Sequence, residues 1–228
     1  MANTQTSPKI LIMLVGPAGC GKSTLASQLP GKVFSSDALR EEMYGDANCQ
    51  DNPKKVFHEL HERIWNYLAH EGDIAIYDAT NLNALRRSAF ISATKAQEFP
   101  CKFVCAAFIP NEEICLAQNT QRARKVPEDV IHRQILSYQF PRLDEGWDRL
   151  VILDTVEGTS AAIDRICTYI TSLILNAQPR PFLSKVTRVH SSNFSHKLLH
   201  ILRHWVPHIL IDILIHILIH ILLDGILH

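Results

Sequence analysis

The sequence predicts an α/β fold: a three-layer sandwich around a mainly parallel central sheet, with a helical lid and a low-complexity C-terminal tail. Three observations predict it. Short apolar runs alternate with longer segments of helical periodicity from residue 9 to residue 175. That alternation is the pattern of parallel strands joined by crossover helices that cover both sheet faces. The first apolar run leads into a glycine-rich octet, Gly16-Pro17-Ala18-Gly19-Cys20-Gly21-Lys22-Ser23, and then into a helix-forming stretch. Beyond residue 177 the alternation stops and a short repeat takes over.

Taken in order, Lys9–Val15 reads as the first strand, Ser23–Gln28 as a helix and Lys32–Phe34 as a second, short strand. Pro53–His70 is helical, because Val56, Phe57, Leu60, Ile64, Tyr67 and Leu68 recur near helical spacing. Asp73–Tyr77 is a strand and Ala84–Gln97 a helix. Cys101–Phe108 is a strand, Glu112–Gln121 a helix, and Pro127–Tyr138 a helix with proline in its first turn. Arg149–Leu153 is a last strand, and Ser160–Leu175 a helix. The expected division is a domain over 1–177 and an extension over 178–228. In such a sheet the functional site lies at the carboxyl ends of the strands.

The octet fits G-x-x-x-x-G-K-[ST], the Walker A phosphate loop, in the strand–loop–helix context that the motif requires. The sandwich is therefore P-loop NTPase-like, and the chain is expected to bind ATP. Gly16, Gly19, Cys20 and Gly21 would turn backbone amides toward phosphate oxygens, and Ser23 and Thr24 open the helix whose N-terminus favours the anion. Lys22 would reach the β- and γ-phosphates, and the Ser23 hydroxyl would ligate Mg²⁺.

Three further segments carry chemistry. Ser35-Ser36-Asp37-Ala38-Leu39-Arg40 follows the second strand. A serine or aspartate there would cap a short helix, but Asp37 also stands where a general base could accept a hydroxyl proton. Arg40, one turn on, could hold an acceptor phosphate. Tyr77-Asp78-Ala79-Thr80-Asn81-Leu82-Asn83 ends the next strand. Asp78 is placed like a Walker B acid, able to orient Mg²⁺ or an acceptor group, Thr80 and Asn81 could bond the acceptor, and Asn83 could cap a helix. Arg86 and Arg87 on that helix read as solvated. Arg122, Arg124 and Lys125 precede Pro127, a charge run suited to a lid whose arginines neutralise transferring phosphate. His58-Glu59-Leu60-His61-Glu62 lacks the H-E-x-x-H order and reads as the polar face of an amphipathic helix.

Together these motifs resemble the 5′-kinase domain of the phage-type polynucleotide kinase family, over roughly residues 8–155. The resemblance rests on GPAGCGKST, SSDALR, DATNLNALRR and RARKVPEDVI in that order, and Phe140-Pro141-Arg142-Leu143-Asp144-Glu145-Gly146-Trp147 is similar to bacterial members. An ATP-binding module of the AAA type is expected with it. The resemblance implies Mg²⁺- and ATP-dependent phosphorylation of a 5′-hydroxyl end of DNA or RNA. It implies Lys22 and Ser23 on ATP and metal, Asp37 as base, Arg40 on the acceptor's phosphate, Asp78 as an acid on the acceptor side, and Arg122 and Arg124 as lid arginines. Gln118 departs from it, since relatives often carry arginine there, which implies one lid contact fewer. No phosphatase, ligase or nuclease domain is legible. Two alternatives stay open: a small-molecule or nucleotide-sugar kinase on a similar fold, and a nucleotide-dependent switch without transferase activity.

The chain of 228 residues carries 23 basic and 23 acidic side chains, a formal net charge of zero. That balance excludes a global basic field for long nucleic acid but allows a small site that grips one strand end. Six scattered cysteines without zinc spacing suit reduced thiols in a cytoplasmic protein. The run Ile10–Val15 is too short for a secretory leader. Composition leaves the oligomeric state open.

In the tail, His196, His200, His204, His208, Asp212, His216, His220, Asp224 and His228 recur at every fourth position among Ile and Leu. A period of four drifts about 40° per repeat around a helix. Histidines at i,i+4 could chelate a metal, and an apolar run could enter a membrane, though His and Asp in mid-span are costly. The favoured reading is a low-complexity extension prone to aggregation, with no stable membrane association.

Overall fold

The computed structural model describes residues 8–122, 124–153 and 159–177. Two compact units divide the chain: Pro8–Ile166, and a second comprising Met1–Ser7 with Cys167–His228. Of the second unit, the described residues are the later turns of one helix. The histidine-rich repeat and its three readings lie outside the described residues.

Five strands make the sheet of the first unit: β1 (Lys9–Val15), β2 (Lys32–Ser35), β3 (Ile74–Asp78), β4 (Cys101–Phe108) and β5 (Arg149–Leu153), in the order β2-β3-β1-β4-β5. All four neighbouring pairs are parallel, with Ile10 opposite Ile74 on one side of β1 and opposite Lys102 on the other. The central position of β1 explains its composition. Leu11, Met13 and Val15 point to one face and Ile10, Ile12 and Leu14 to the other, and all six are buried. A strand covered on both faces is continuously apolar rather than alternating.

The crossovers are helical: α1 (Lys22–Ala26), α2 (Ser36–Tyr44), α3 (Pro53–Asn66), α4 (Ala84–Lys95), α5 (Glu112–Thr120), α6 (Glu128–Leu136) and α7 (Ser160–Ala177). A π-helical turn, Tyr67–Glu71, extends α3, so helical structure ends one residue past the expected His70. On one side of the sheet, Leu11, Met13 and Val15 join Val56, Leu60 and Ile64 of α3 and Phe90 and Ile91 of α4 in one apolar core. Pro127 stands just outside α6 as its N-cap, with extended ψ of 139°, rather than in the first turn. β3 runs one residue later than expected, so Asp78 is its last residue.

The histidine segment of α3 departs from its expected polar face. His58 and Glu62 are exposed, but His61 turns inward among aromatic rings, with centroids 4.2 Å from Phe90 and 5.6 Å from Tyr77. Its Nε2 lies 3.0 Å from the Tyr77 hydroxyl. Cys20, Cys105 and Cys115 are buried, and burial pushes all three thiols up. Among the described residues no helix is long and apolar enough to cross a membrane.

Candidate functional site

The loop after β1 turns tightly because two of its glycines occupy left-handed backbone, Gly19 at φ 81° and Gly21 at φ 95°. A side chain on Gly19 would also collide with the carbonyl of Cys115, so only glycine fits. Gly21 is the N-cap of α1 and offers no side-chain acceptor, so no side chain caps the amides of the first turn. The Gly16 amide donates to the Thr80 carbonyl at 3.0 Å, tying this loop to the one after β3. Lys22 is buried and donates to the Pro17 carbonyl at 2.6 Å. From α6, Gln134 Oε1 accepts the Ala18 amide at 2.7 Å.

The Ser23 hydroxyl donates to Asp78 Oδ2 at 3.0 Å. Burial holds the Asp78 carboxyl above the usual carboxylate range, and Lys22 and the Ser23 hydrogen bond oppose that rise. Two oxygen donors side by side at the end of the phosphate loop suit a hard divalent cation such as Mg²⁺. Thr24 lies on the exposed side of α1 and borders the same cavity.

That cavity, about 1460 Å³, extends from the phosphate loop across the carboxyl ends of β2 and β3. Its far wall carries Asp37 in the first turn of α2. Ser35 caps α2 by accepting the Ala38 amide, as the helix-capping reading expected, and Asp37 and Arg40 of the same segment line the cavity. Both Asp37 oxygens are engaged: Arg40 NH1 donates to Oδ1 at 3.0 Å and Arg124 NH1 to Oδ2 at 2.7 Å. Arg40 is 7% exposed, its guanidinium lies 5.7 Å from the centroid of the Phe57 ring, and its Nε has no hydrogen-bond partner.

The segment between α5 and α6 is set by Asn119, whose amide both donates to the Val126 carbonyl and accepts the Val126 amide. This clasp presents Arg122 and Arg124 to the cavity. Arg122 acts electrostatically on Asp78. Arg124 faces the Asp37 carboxylate instead, with a second bond from its Nε to Asn48 at 2.8 Å. Gln118 also lines the cavity, close to Gly21.

One cavity thus brings together Gly19, Cys20, Gly21, Lys22, Ser23 and Thr24 of the phosphate loop with Asp37, Arg40, Asp78, Arg122 and Arg124, while Gly16 does not line it. The structure corrects two expectations nearby. Asn81 does not reach into the cavity as an acceptor ligand: its amide donates to the Leu14 carbonyl at 2.9 Å, from left-handed backbone at φ 49°. Arg87 is not solvated but 1% exposed, and pairs through two bonds of 2.7 Å with Glu145, itself 6% exposed at the side chain. Its NH1 donates to the Asn81 carbonyl at 2.8 Å. This strut was hidden because arginine in a charged run reads as surface, and its partner lies 58 residues away. Arg86 is exposed, as expected, and borders the same cavity.

Residues 11–141 match the family model described as AAA domain (AAA_33). No curated protein matches the chain by sequence. Among solved structures, a fungal RNA kinase superposes with a TM-score of 0.56 at 15% identity, over 79% of this chain and 95% of that one. A protein of Chloroflexus aurantiacus j-10-fl proposed to be a kinase gives 0.55 at 18%, over 71% and 97%. A gluconokinase from Sinorhizobium meliloti 1021 gives 0.48 at 18%, over 75% and 95%. The first two likenesses carry the fold, an α/β P-loop kinase-like sandwich. With the strand–loop–helix phosphate site and the match over residues 11–141, the chain belongs to the AAA domain family.

Proposed function

We propose that this chain transfers the γ-phosphoryl group of ATP to the 5′-hydroxyl end of DNA or RNA, with Asp37 as general base. The observation that carries this reading is the carboxylate facing a phosphate loop across one cavity, held on both oxygens by arginines from two different elements. A protein that only bound or hydrolysed nucleotide has no need of a second, cationic half-site around a base. Among the described residues lining the cavity, seven are Lys or Arg and two are Asp, in a chain of zero net charge. Such concentration suits two anionic ligands, a triphosphate and a phosphorylated acceptor, better than a triphosphate and a sugar. The motif resemblance to polynucleotide kinases agrees with it, and the fold is shared with a fungal RNA kinase.

In this reading Asp37 accepts the proton of the 5′-hydroxyl as its oxygen bonds the γ-phosphorus and the bond to the ADP oxygen breaks, in line. Lys22 and Arg122 neutralise charge on the transferring group, while Arg40 and Arg124 hold Asp37 and the acceptor. Ser23 and Asp78 would hold Mg²⁺, which when bound offsets charge on the phosphate oxygens.

The test is transfer of labelled γ-phosphate from ATP to 5′-hydroxyl DNA and RNA oligonucleotides by the full chain, with Lys22→Ala and Asp37→Asn beside it. Label on an oligonucleotide, lost in both variants while Asp37→Asn still binds ATP, is the expected result. Near-normal transfer by Asp37→Asn would remove it from the base role. No label on either polymer, with ATP bound, would move the acceptor to a small molecule.

A further inference from the structure

The acceptor half of the cavity holds more cation than one phosphate uses. Arg40 is buried, and its Nε stays unpartnered although NH1 is bound to Asp37. Arg86 borders the same cavity from the first turn of α4, and among the described residues its side chain makes no hydrogen bond or ion pair. Arg40 and Arg86 both line this one cavity. Asn83 caps α4 through the Arg86 amide, which anchors the backbone that carries Arg86. Between the two arginines and the loop of Asn48 and Gln50, the Phe57 ring forms an apolar wall.

On the reading of the site as a polynucleotide 5′-kinase, we propose that Arg86 forms a second anion subsite beyond Arg40, which engages the next phosphate along the acceptor strand. The enzyme then distinguishes an acceptor with two phosphates from one with a single phosphate. Arg40 holds the phosphate next to the attacked nucleoside, and its buried position admits one anion at fixed distance from Asp37. Arg86, an exposed side chain where Arg40 is buried, tolerates the variable path of the second. Arginine serves both places because its fork accommodates phosphate oxygens in pairs.

The experiment compares two acceptors with the full chain and labelled ATP: a nucleoside 3′-monophosphate, and a 5′-hydroxyl dinucleotide that ends in a 3′-phosphate. The wild-type protein is expected to prefer the dinucleotide by about tenfold in kcat/KM, the worth of one charge-assisted contact. Arg86→Ala should bring that ratio toward one, and Arg86→Lys should keep part of it. Thermal melting of each variant shows that the fold is retained. A tenfold preference that survives in Arg86→Ala, or a wild-type ratio of one, overturns the subsite and leaves the kinase reading standing. Failure of the wild type to label either acceptor or a longer oligonucleotide overturns both.

Discussion

His61 is the residue whose environment departs most from what its neighbours in the chain suggest. Burial among Phe57, Trp65, Tyr77 and Phe90, with a smaller contribution from His58, lowers its pKa from 6.5 to about 4. The folded protein therefore holds it neutral, while the unfolded chain protonates it near pH 6.5. Its contribution to stability is complete above pH 6.5 and is lost as pH falls toward 4. Linkage puts the loss at about 2 kcal/mol by pH 5. His61→Gln, which keeps a partner for the Tyr77 hydroxyl, should flatten the fall in urea midpoint between pH 6.5 and 5. An equal fall in variant and wild type would show that another group titrates there. At the same scale, Asp37 and Lys22 were legible as cavity residues because each sits inside a motif of recognisable spacing. Asn81 was misread because nothing local says that its amide turns back to Leu14.

At the scale of elements, the strut from α4 to the turn Leu143–Glu145 holds the site's floor. Arg87 joins Glu145, the Asn81 carbonyl bonds Arg87, and Asn81 in turn bonds the Leu14 carbonyl at the mouth of the phosphate loop. Glu145 Oε1 also accepts the Arg142 amide, which fixes the turn itself. Removing one partner of a buried ion pair leaves a charge without compensation. Arg87→Met should cost about 3–5 kcal/mol of unfolding free energy. Adding Glu145→Gln should recover part of it, because the orphaned charge is removed. A loss below about 1 kcal/mol in chemical denaturation would mean that water reaches Glu145. The strands and most helices were readable from periodicity, since β1 and β4 are apolar runs and α3 keeps its spacing. The β3 boundary moved by one residue because a parallel strand ends where its neighbour stops pairing, and Ser35 of β2 pairs with Asp78.

For the whole molecule, charge balance and charge placement answer different questions. Zero net charge gives no long-range attraction for a nucleic acid, yet the cavity gathers cations on its walls. On the proposed reading, a local grip on about two acceptor phosphates predicts a shallow salt dependence. The logarithm of acceptor affinity should fall against the logarithm of salt concentration with a slope near about −1.4. Affinity should also stop rising once the acceptor exceeds a few nucleotides. A slope steeper than about −4 would point to a basic track outside the cavity. Titration of a fluorescent 5′-hydroxyl oligonucleotide at several salt concentrations measures both quantities.

By itself the sequence determined the sandwich, the phosphate loop and the order of the chemical segments, because periodicity and glycine placement are local properties written in consecutive residues. It also determined that Asp37, Asp78 and the lid arginines come from the ends of successive elements. Tertiary structure alone decided which charges meet. Arg124 and Asp37 stand 87 positions apart, and Arg87 and Glu145 stand 58 apart. Whether an arginine is solvated, buried in a strut or turned into a cavity depends on what the fold brings opposite it. Electrostatic energy follows distance and burial in space, and neither is set by separation along the chain.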